Sequence, residues 1–301
     1  MRFAMIGLGK MGGNMVRRLC RGGIEAVGYD RSADVVAEIA ASTGMIGASS
    51  VADAVGKLPS PRVVWLMLPA GDITEQQLQA LLPLLDKGDI IIDGGNSNFH
   101  DSERRGRLLA EYGIGFVDAG TSGGVWGLDN GYCLMVGGDD WVIEVVKPLL
   151  QVLAPAPDRG WAHVGPVGAG HFTKMVHNGI EYGMMQAYAE GLAILRGRKS
   201  YNLDIAAISE LWRHSSVVRS WLLDLTAGAL AAKPDLSKVS AVVTDSGEGR
   251  WTAIEAIEQG IAAPVITAAL QMRFASQDDD GYANRLLSLM RNAFGGHSMK
   301  S

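Results

Sequence analysis

RFAMIGLGKMGGNMVRRLCRGGIEAVGYDRS (residues 2–32) decides the fold. RFAMI (2–6) reads as a short buried strand. Gly7-Leu8-Gly9-Lys10-Met11-Gly12 follows, and NMVRRLCRGG then shows helical spacing before it stops at Gly22-Gly23. IEAVGYDRS predicts a second strand that ends at Asp30, 18 residues beyond Gly12. Strand, G-x-G-x-x-G, helix, strand and acid is the order of a dinucleotide-binding βαβ unit. Its glycines serve a tight turn, a close backbone approach to a pyrophosphate, and close helix–strand packing. The helix N-terminus offers N–H groups to phosphate charge. Gly7, Leu8, Gly9, Lys10, Met11 and Gly12 are therefore candidate cofactor contacts.

Asp30 extends that inference. A carboxylate there accepts hydrogen bonds from ribose hydroxyls and repels a 2′-phosphate, which favours NAD over NADP. The alternative is that Arg31 swings over a 2′-phosphate and admits NADP as well.

The α/β alternation continues downstream. RVVWLMLP (62–69), DIIIDGGNS (89–97), GIGFVDAGTSGG (113–124) and GYCLMVGG (131–138) read as strands with their turns, and helical patterns at 74–86 and 101–112 separate several of them. Such alternation implies a doubly wound, mainly parallel sheet of Rossmann type, which binds ligands beyond the carboxyl ends of its strands. Leu68 and Pro69-Ala70-Gly71, Gly94-Gly95-Asn96-Ser97, and Ser122-Gly123-Gly124 all fall at such ends. Gly, Asn and Ser make turns without any ligand; three such loops on one rim point to a site.

From about residue 167 the pattern turns helical. One segment of nearly thirty residues starts there, and others fall near 203–213, 216–232, 250–258, 263–276 and 281–293. VSAVVTDSG (239–247) is ambiguous. The expected organisation is a Rossmann domain over 1–166 and an all-helical substrate-binding and oligomerisation domain over 167–301, with a substrate cleft at their junction.

The 301 residues allow two sizeable cores, and the chain is 48% hydrophobic and 20% charged with net charge −5. Mild acidity without a Lys/Arg cluster argues against nucleic-acid binding. No run approaches a membrane span, no leader is evident, and Cys20 and Cys133 lack metal-like spacing. A cytoplasmic protein with free thiols and no metal is expected.

The first helix of the second half carries GHFTKMVHNGIEYGMM (170–185). Lys174, His177, Asn178 and Glu181 fall at i, i+3, i+4 and i+7 and share one face. A core-facing stripe would be apolar. Either this is a solvated stripe with a charge pair, or it is the wall of a polar pocket. In a pocket, a partly desolvated lysine suits the base that takes a hydroxyl proton as hydride leaves. Glu181 would supply a second acid/base group, and His177 and Asn178 would hold the substrate.

GLGKMG, DGGNS, GTSGG and above all KMVHNGIEYG resemble the decarboxylating 6-phosphogluconate dehydrogenases, in the β-hydroxyacid dehydrogenase superfamily. GEGRWT (247–252), LQMRFAS (270–276) and RNAFGGH (291–297) extend the resemblance through most of the chain. It implies oxidative decarboxylation of 6-phosphogluconate to ribulose 5-phosphate with reduction of NAD or NADP, in the pentose phosphate pathway and gluconate utilisation. Lys174 would be general base and then acid, and Glu181 general acid. Asn96, Ser122, Gly123, Gly124, His177 and Asn178 would contact the sugar acid. Tyr182 and Arg273 would meet its phosphate, Arg250 would also bind the substrate, and Arg291 and His297 would come from a neighbouring subunit. The chain looks like the short form, which lacks the duplicated helical half, so a homodimer or homotetramer is implied. It departs from the long form at Asp30-Arg31, at Val125-Trp126 after the S-G-G turn, and at Arg250, where lysine is common. Two alternatives remain open: a dehydrogenase for a small acid such as 3-hydroxyisobutyrate, and a non-catalytic NAD-binding sensor.

Overall fold

The computed structural model describes residues 1–233 and 235–295. The first half alternates strands and helices: β1 Arg2–Ile6, α1 Lys10–Arg21, β2 Glu25–Tyr29, α2 Ala33–Thr43, β3 Ile46–Gly47, α3 Val51–Gly56, β4 Val63–Leu66, α4 Asp72–Leu81, β5 Ile90–Asp93, α5 Phe99–Glu111, β6 Gly115–Ser122, α6 Gly127–Asn130, β7 Cys133–Gly138, α7 Asp140–Leu153 and β8 Trp161–Gly165. The strands form one sheet in the order β3-β2-β1-β4-β5-β6-β7-β8. Every neighbouring pair is parallel except β6 and β7. This is the doubly wound sheet expected from the alternation of elements.

Alternate residues of the inner strands β1, β4 and β5 enter opposite cores. Phe3, Met5, Trp65, Ile90 and Ile92 pack with Met15, Leu19, Ile39 and Leu149, so α1, α2 and α7 cover one face. Ala4, Ile6, Val64, Leu66 and Ile91 pack with Val55, Leu78, Leu81 and Leu109, so α3, α4 and α5 cover the other. Strands buried on both faces read as continuous apolar runs, which is why 62–69 and 89–97 stood out. The edge strand β8 carries three exposed residues and lacks such a run, so it was not apparent in the sequence. Arg18 ties α1 to the end of α7: Nε donates to the carbonyls of Val152 and Leu153, and Nη2 to that of Ala154. A cation there complements the helix C-terminus.

The second half is helical: α8 Ala169–Gly197, α9 Ile205–Trp212, α10 Trp221–Ala232, α11 Glu248–Glu258, α12 Pro264–Ser276 and α13 Tyr282–Gly295. The helix expected over 216–232 begins only at Trp221, because the Ser220 hydroxyl accepts from Leu223 N and caps it. The ambiguous 239–247 segment is a loop, with Val239, Val242 and Val243 exposed. Compactness divides the chain between His177 and Asn178, within α8. Among the described residues no helix is long and apolar enough to cross a membrane.

Candidate active site

At the β1–α1 turn, two of the three motif glycines are demanded by the fold itself. Gly7 has φ +96°, and a Cβ on it would lie 2.4 Å from the Met67 carbonyl oxygen. A Cβ on Gly12 would lie 2.0 Å from the Gly7 carbonyl oxygen. Gly9 differs. Its φ is −59°, open to any residue, and a Cβ there would meet nothing within 4 Å. Packing gives no reason for glycine at that position; a ligand lying against the backbone does. Gly9 is also the N-cap of α1, which has no side-chain cap and no acid in its first turn. Its leading N–H groups are thus left for an anion. The turn fits a dinucleotide pyrophosphate.

Asp30, one residue past β2, closes the turn. One carboxylate oxygen accepts from Leu8 N at 2.8 Å and the other from Ser32 N at 2.9 Å. The carboxylate is held at the mouth of the turn, with lone pairs to spare for ribose hydroxyls. Arg31 beside it is exposed.

The next rim loops lie side by side. A Cβ on Gly7 would lie 3.0 Å from the Leu68 side chain, and one on Gly95 would lie 2.7 Å from the Leu68 carbonyl oxygen. The cofactor candidates Leu68 and Pro69 and the DGGNS loop therefore flank the glycine turn. Asn96 is exposed between buried Gly95 and Ser97. In the Ser122-Gly123-Gly124 turn both glycines have positive φ, +127° and +52°, so backbone conformation alone accounts for them.

Below these loops Glu75 bridges two arginines. It takes 2.7 and 3.0 Å bonds from Arg104 and a 3.0 Å bond from Arg105. Arg104 chiefly, and Arg105 after partial burial works against it, hold the Glu75 carboxyl down at about 2, from 4.5. A depressed folded value contributes stability above the unfolded value and loses it as the group protonates. Wild type should therefore exceed Glu75→Gln in stability above pH 4.5, with the gap closing between about 4.5 and about 2. Urea unfolding across that range checks this, and a pH-independent gap would refute it.

Lys174 lies on α8 where the helix meets β6. The side chain is 7% exposed, and its Nζ is 3.4 Å from His177 Nδ1. A Cβ on Gly120 of β6 would lie 2.4 Å from the Lys174 Cβ, so helix and strand touch at that glycine. The start of α8 hangs from a group that the sequence reading missed. Buried Asp118 accepts from Gly168 N and His171 N, each at 2.7 Å. Its one signal was a lone acid within an apolar strand, GFVDAG. Asn178 is 8% exposed and Glu181 half-buried further along the same helix.

In the second half, Gly179 packs on Thr252 of α11. Tyr182 is buried, with the Arg273 guanidinium 3.6 Å above its ring centre. Arg273 also donates to the Thr244 carbonyl at 2.8 Å, and the Tyr182 hydroxyl is 3.5 Å from Ser246 Oγ. Arg250 forms a bidentate ion pair with Asp245. Tyr182 and Arg273 are thus brought together, while Arg250 is engaged by a carboxylate. Arg291 is exposed on α13, and His297 lies outside the described residues.

Comparison with known proteins matches residues 2–165 to the NAD binding domain of 6-phosphogluconate dehydrogenase. Residues 170–293 match the C-terminal domain of the same enzyme. The chain belongs to the 6-phosphogluconate dehydrogenase family. An NAD(+)-dependent, decarboxylating 6-phosphogluconate dehydrogenase of Haloferax volcanii is 42% identical, over 99% of this chain and 98% of that protein. A decarboxylating 6-phosphogluconate dehydrogenase of Haemophilus ducreyi is 41% identical, over 92% of this chain but 60% of its own length. The Plasmodium falciparum 6-phosphogluconate dehydrogenase structure superposes with a TM-score of 0.85 at 30% identity, over all of this chain and 66% of that one. Family members of two lengths therefore align with this chain, which spans 98% of the Haloferax protein and 60% of the Haemophilus one.

Proposed function

We propose that this protein is an NAD-dependent, decarboxylating 6-phosphogluconate dehydrogenase of the pentose phosphate pathway, acting in the cytoplasm. The observation that carries the reading is the polar face of α8, where Lys174, His177, Asn178 and Glu181 succeed one another and Lys174 is nearly buried. Bound NAD would supply the hydride acceptor for C3 of the sugar acid. Asp30 would bind its ribose, Gly7–Gly12 its pyrophosphate, and Leu68, Pro69 and Asn96 the rim beyond, with NADP the less favoured cofactor.

Lys174 takes the proton from the C3 hydroxyl, leaving a 3-keto acid. The protonated Lys174 then gives that proton to the carbonyl oxygen as the C1–C2 bond breaks, so that CO2 departs from the 3-keto acid and leaves an enediol. Glu181 protonates the enediol carbon that lost CO2 while Lys174 takes back the proton from the neighbouring hydroxyl, giving ribulose 5-phosphate. Asn96, Ser122, Gly123, Gly124, His177 and Asn178 orient the sugar acid. Tyr182 and Arg273 meet its phosphate, for which a guanidinium fork is suited. Arg250 joins them on release from Asp245.

The protein acts as a homodimer or homotetramer in which Arg291 and His297 complete a neighbour's site. In support, α13 exposes Tyr282, Leu286, Leu289 and Met290 at helical spacing along one face.

The test follows NADH formation from 6-phosphogluconate with NAD and NADP side by side while CO2 is trapped. Turnover with one CO2 per NADH, faster with NAD, is expected. Turnover preferring NADP would refute the role of Asp30. Activity confined to a small 3-hydroxy acid would refute the substrate.

A further inference from the structure

Among the described residues Arg105 is the one arginine with a fully buried side chain, at 1% exposed, and neither the cofactor nor the chemistry above uses it. Its guanidinium joins pieces that are distant in sequence. Nη1 donates to Asp93 Oδ2 at 3.1 Å and to Ser97 Oγ at 3.3 Å; Nη2 points to the Gly71 carbonyl at 3.4 Å; Nε donates to Glu75 at 3.0 Å. Asp93 continues the network into the loop, accepting from Ser97 Oγ at 2.7 Å and from Gly95 N at 3.1 Å. One buried cation thus ties the turn after β4, which carries Leu68, Pro69 and Gly71, to the turn after β5, which carries Asn96.

Stability is a weak explanation for such a group. Well-packed apolar residues commonly replace a buried ion pair at no cost, so a buried guanidinium is poorly explained by folding alone. What apolar packing cannot do is hold the Gly71 carbonyl of one loop, the Ser97 hydroxyl of the other and the Asp93 carboxylate at the end of β5 at fixed separation, which a planar fork with five donors does. Asn96 is exposed at the crest of the tethered loop, between two buried neighbours, so its direction follows from where the loop is held.

We infer that Arg105 is a positioning residue: by bridging Gly71, Asp93 and Ser97 it sets the register of the two rim loops and so aims Asn96, Leu68 and Pro69 at cofactor and substrate. This rests on the assignment of those three residues under the proposed function. Asn96 contacts made equally to ground state and transition state appear in KM rather than kcat. A fault of folding does the reverse, lowering apparent kcat through fewer active molecules while KM is unchanged.

Arg105→Lys keeps the charge, but a single ammonium cannot span both loops. It should raise KM for NAD and for 6-phosphogluconate about 10-fold, with kcat within about 2-fold of wild type. Calorimetric NAD affinity should fall by a similar factor, a measurement independent of which sugar acid is the substrate. Absence of wild-type turnover with 6-phosphogluconate would therefore sink the substrate assignment while NAD affinity still decided the role of Arg105. If Arg105→Lys fails to fold, Ser97→Ala removes only the loop end of the bridge and should raise the NAD dissociation constant about 3-fold. Unchanged KM and NAD affinity in the folded variants would overturn the inference.

Discussion

Lys174→Met is expected to lower kcat with 6-phosphogluconate by about 10²- to 10⁴-fold while leaving NAD affinity close to wild type. Methionine nearly matches the lysine stem in shape, so the packing of the nearly buried side chain against β6 is kept and only the ammonium is lost. In the proposed mechanism that group acts twice, removing the hydroxyl proton and then polarising the carbonyl, and both steps fail together. The NAD turn is built from β1, α1 and Asp30, and its geometry does not depend on the Lys174 ammonium. Steady-state kinetics together with calorimetric NAD titration make the check. A kcat within 10-fold of wild type would remove Lys174 from the chemistry and leave the stripe on α8 as a binding face.

Gly120→Ala should be nearly as damaging, although Gly120 is a backbone position within β6. The added methyl would sit 2.4 Å from the Lys174 Cβ and 2.8 Å from the Gly170 carbonyl oxygen. Neither atom is the free end of a flexible side chain, so α8 must move off the sheet. Gly170 itself lies against the backbone, where a Cβ would lie 2.3 Å from the Asp118 carbonyl oxygen and 2.6 Å from that of Met135, so the helix has no alternative seat. Overpacking of this kind costs about 1–3 kcal/mol in stability, and a displacement near 1 Å at the reacting group costs about 10²-fold in rate. We expect a folded variant with kcat reduced about 100-fold and NAD affinity little changed. A Gly120→Ala enzyme with wild-type kcat would show that Lys174 need not be held against β6.

Features legible in the sequence and features added by the fold separate by chain distance. The glycine spacing of 7–12, the acid at 30, the apolar runs of the inner strands and the polar stripe on α8 were all apparent in the sequence. Each arises from neighbours within a few turns, where strand and helix periods alone settle which residues share a face. The edge strand β8 was not apparent, because a strand with three of its five residues exposed leaves no apolar run.

The sequence by itself therefore determined the doubly wound sheet, the dinucleotide turn and the identity of the polar helix. Tertiary structure alone decided how those parts are held. Asp118 caps α8 across 50 and 53 residues of chain, and Arg105 reaches Gly71 across 34. It also showed Gly9 to be the motif glycine without a packing reason, and Gly120 to be the seat of Lys174. The reason is physical. A buried carboxylate or guanidinium requires a partner but does not specify where along the chain that partner lies, and only the closed fold supplies its position.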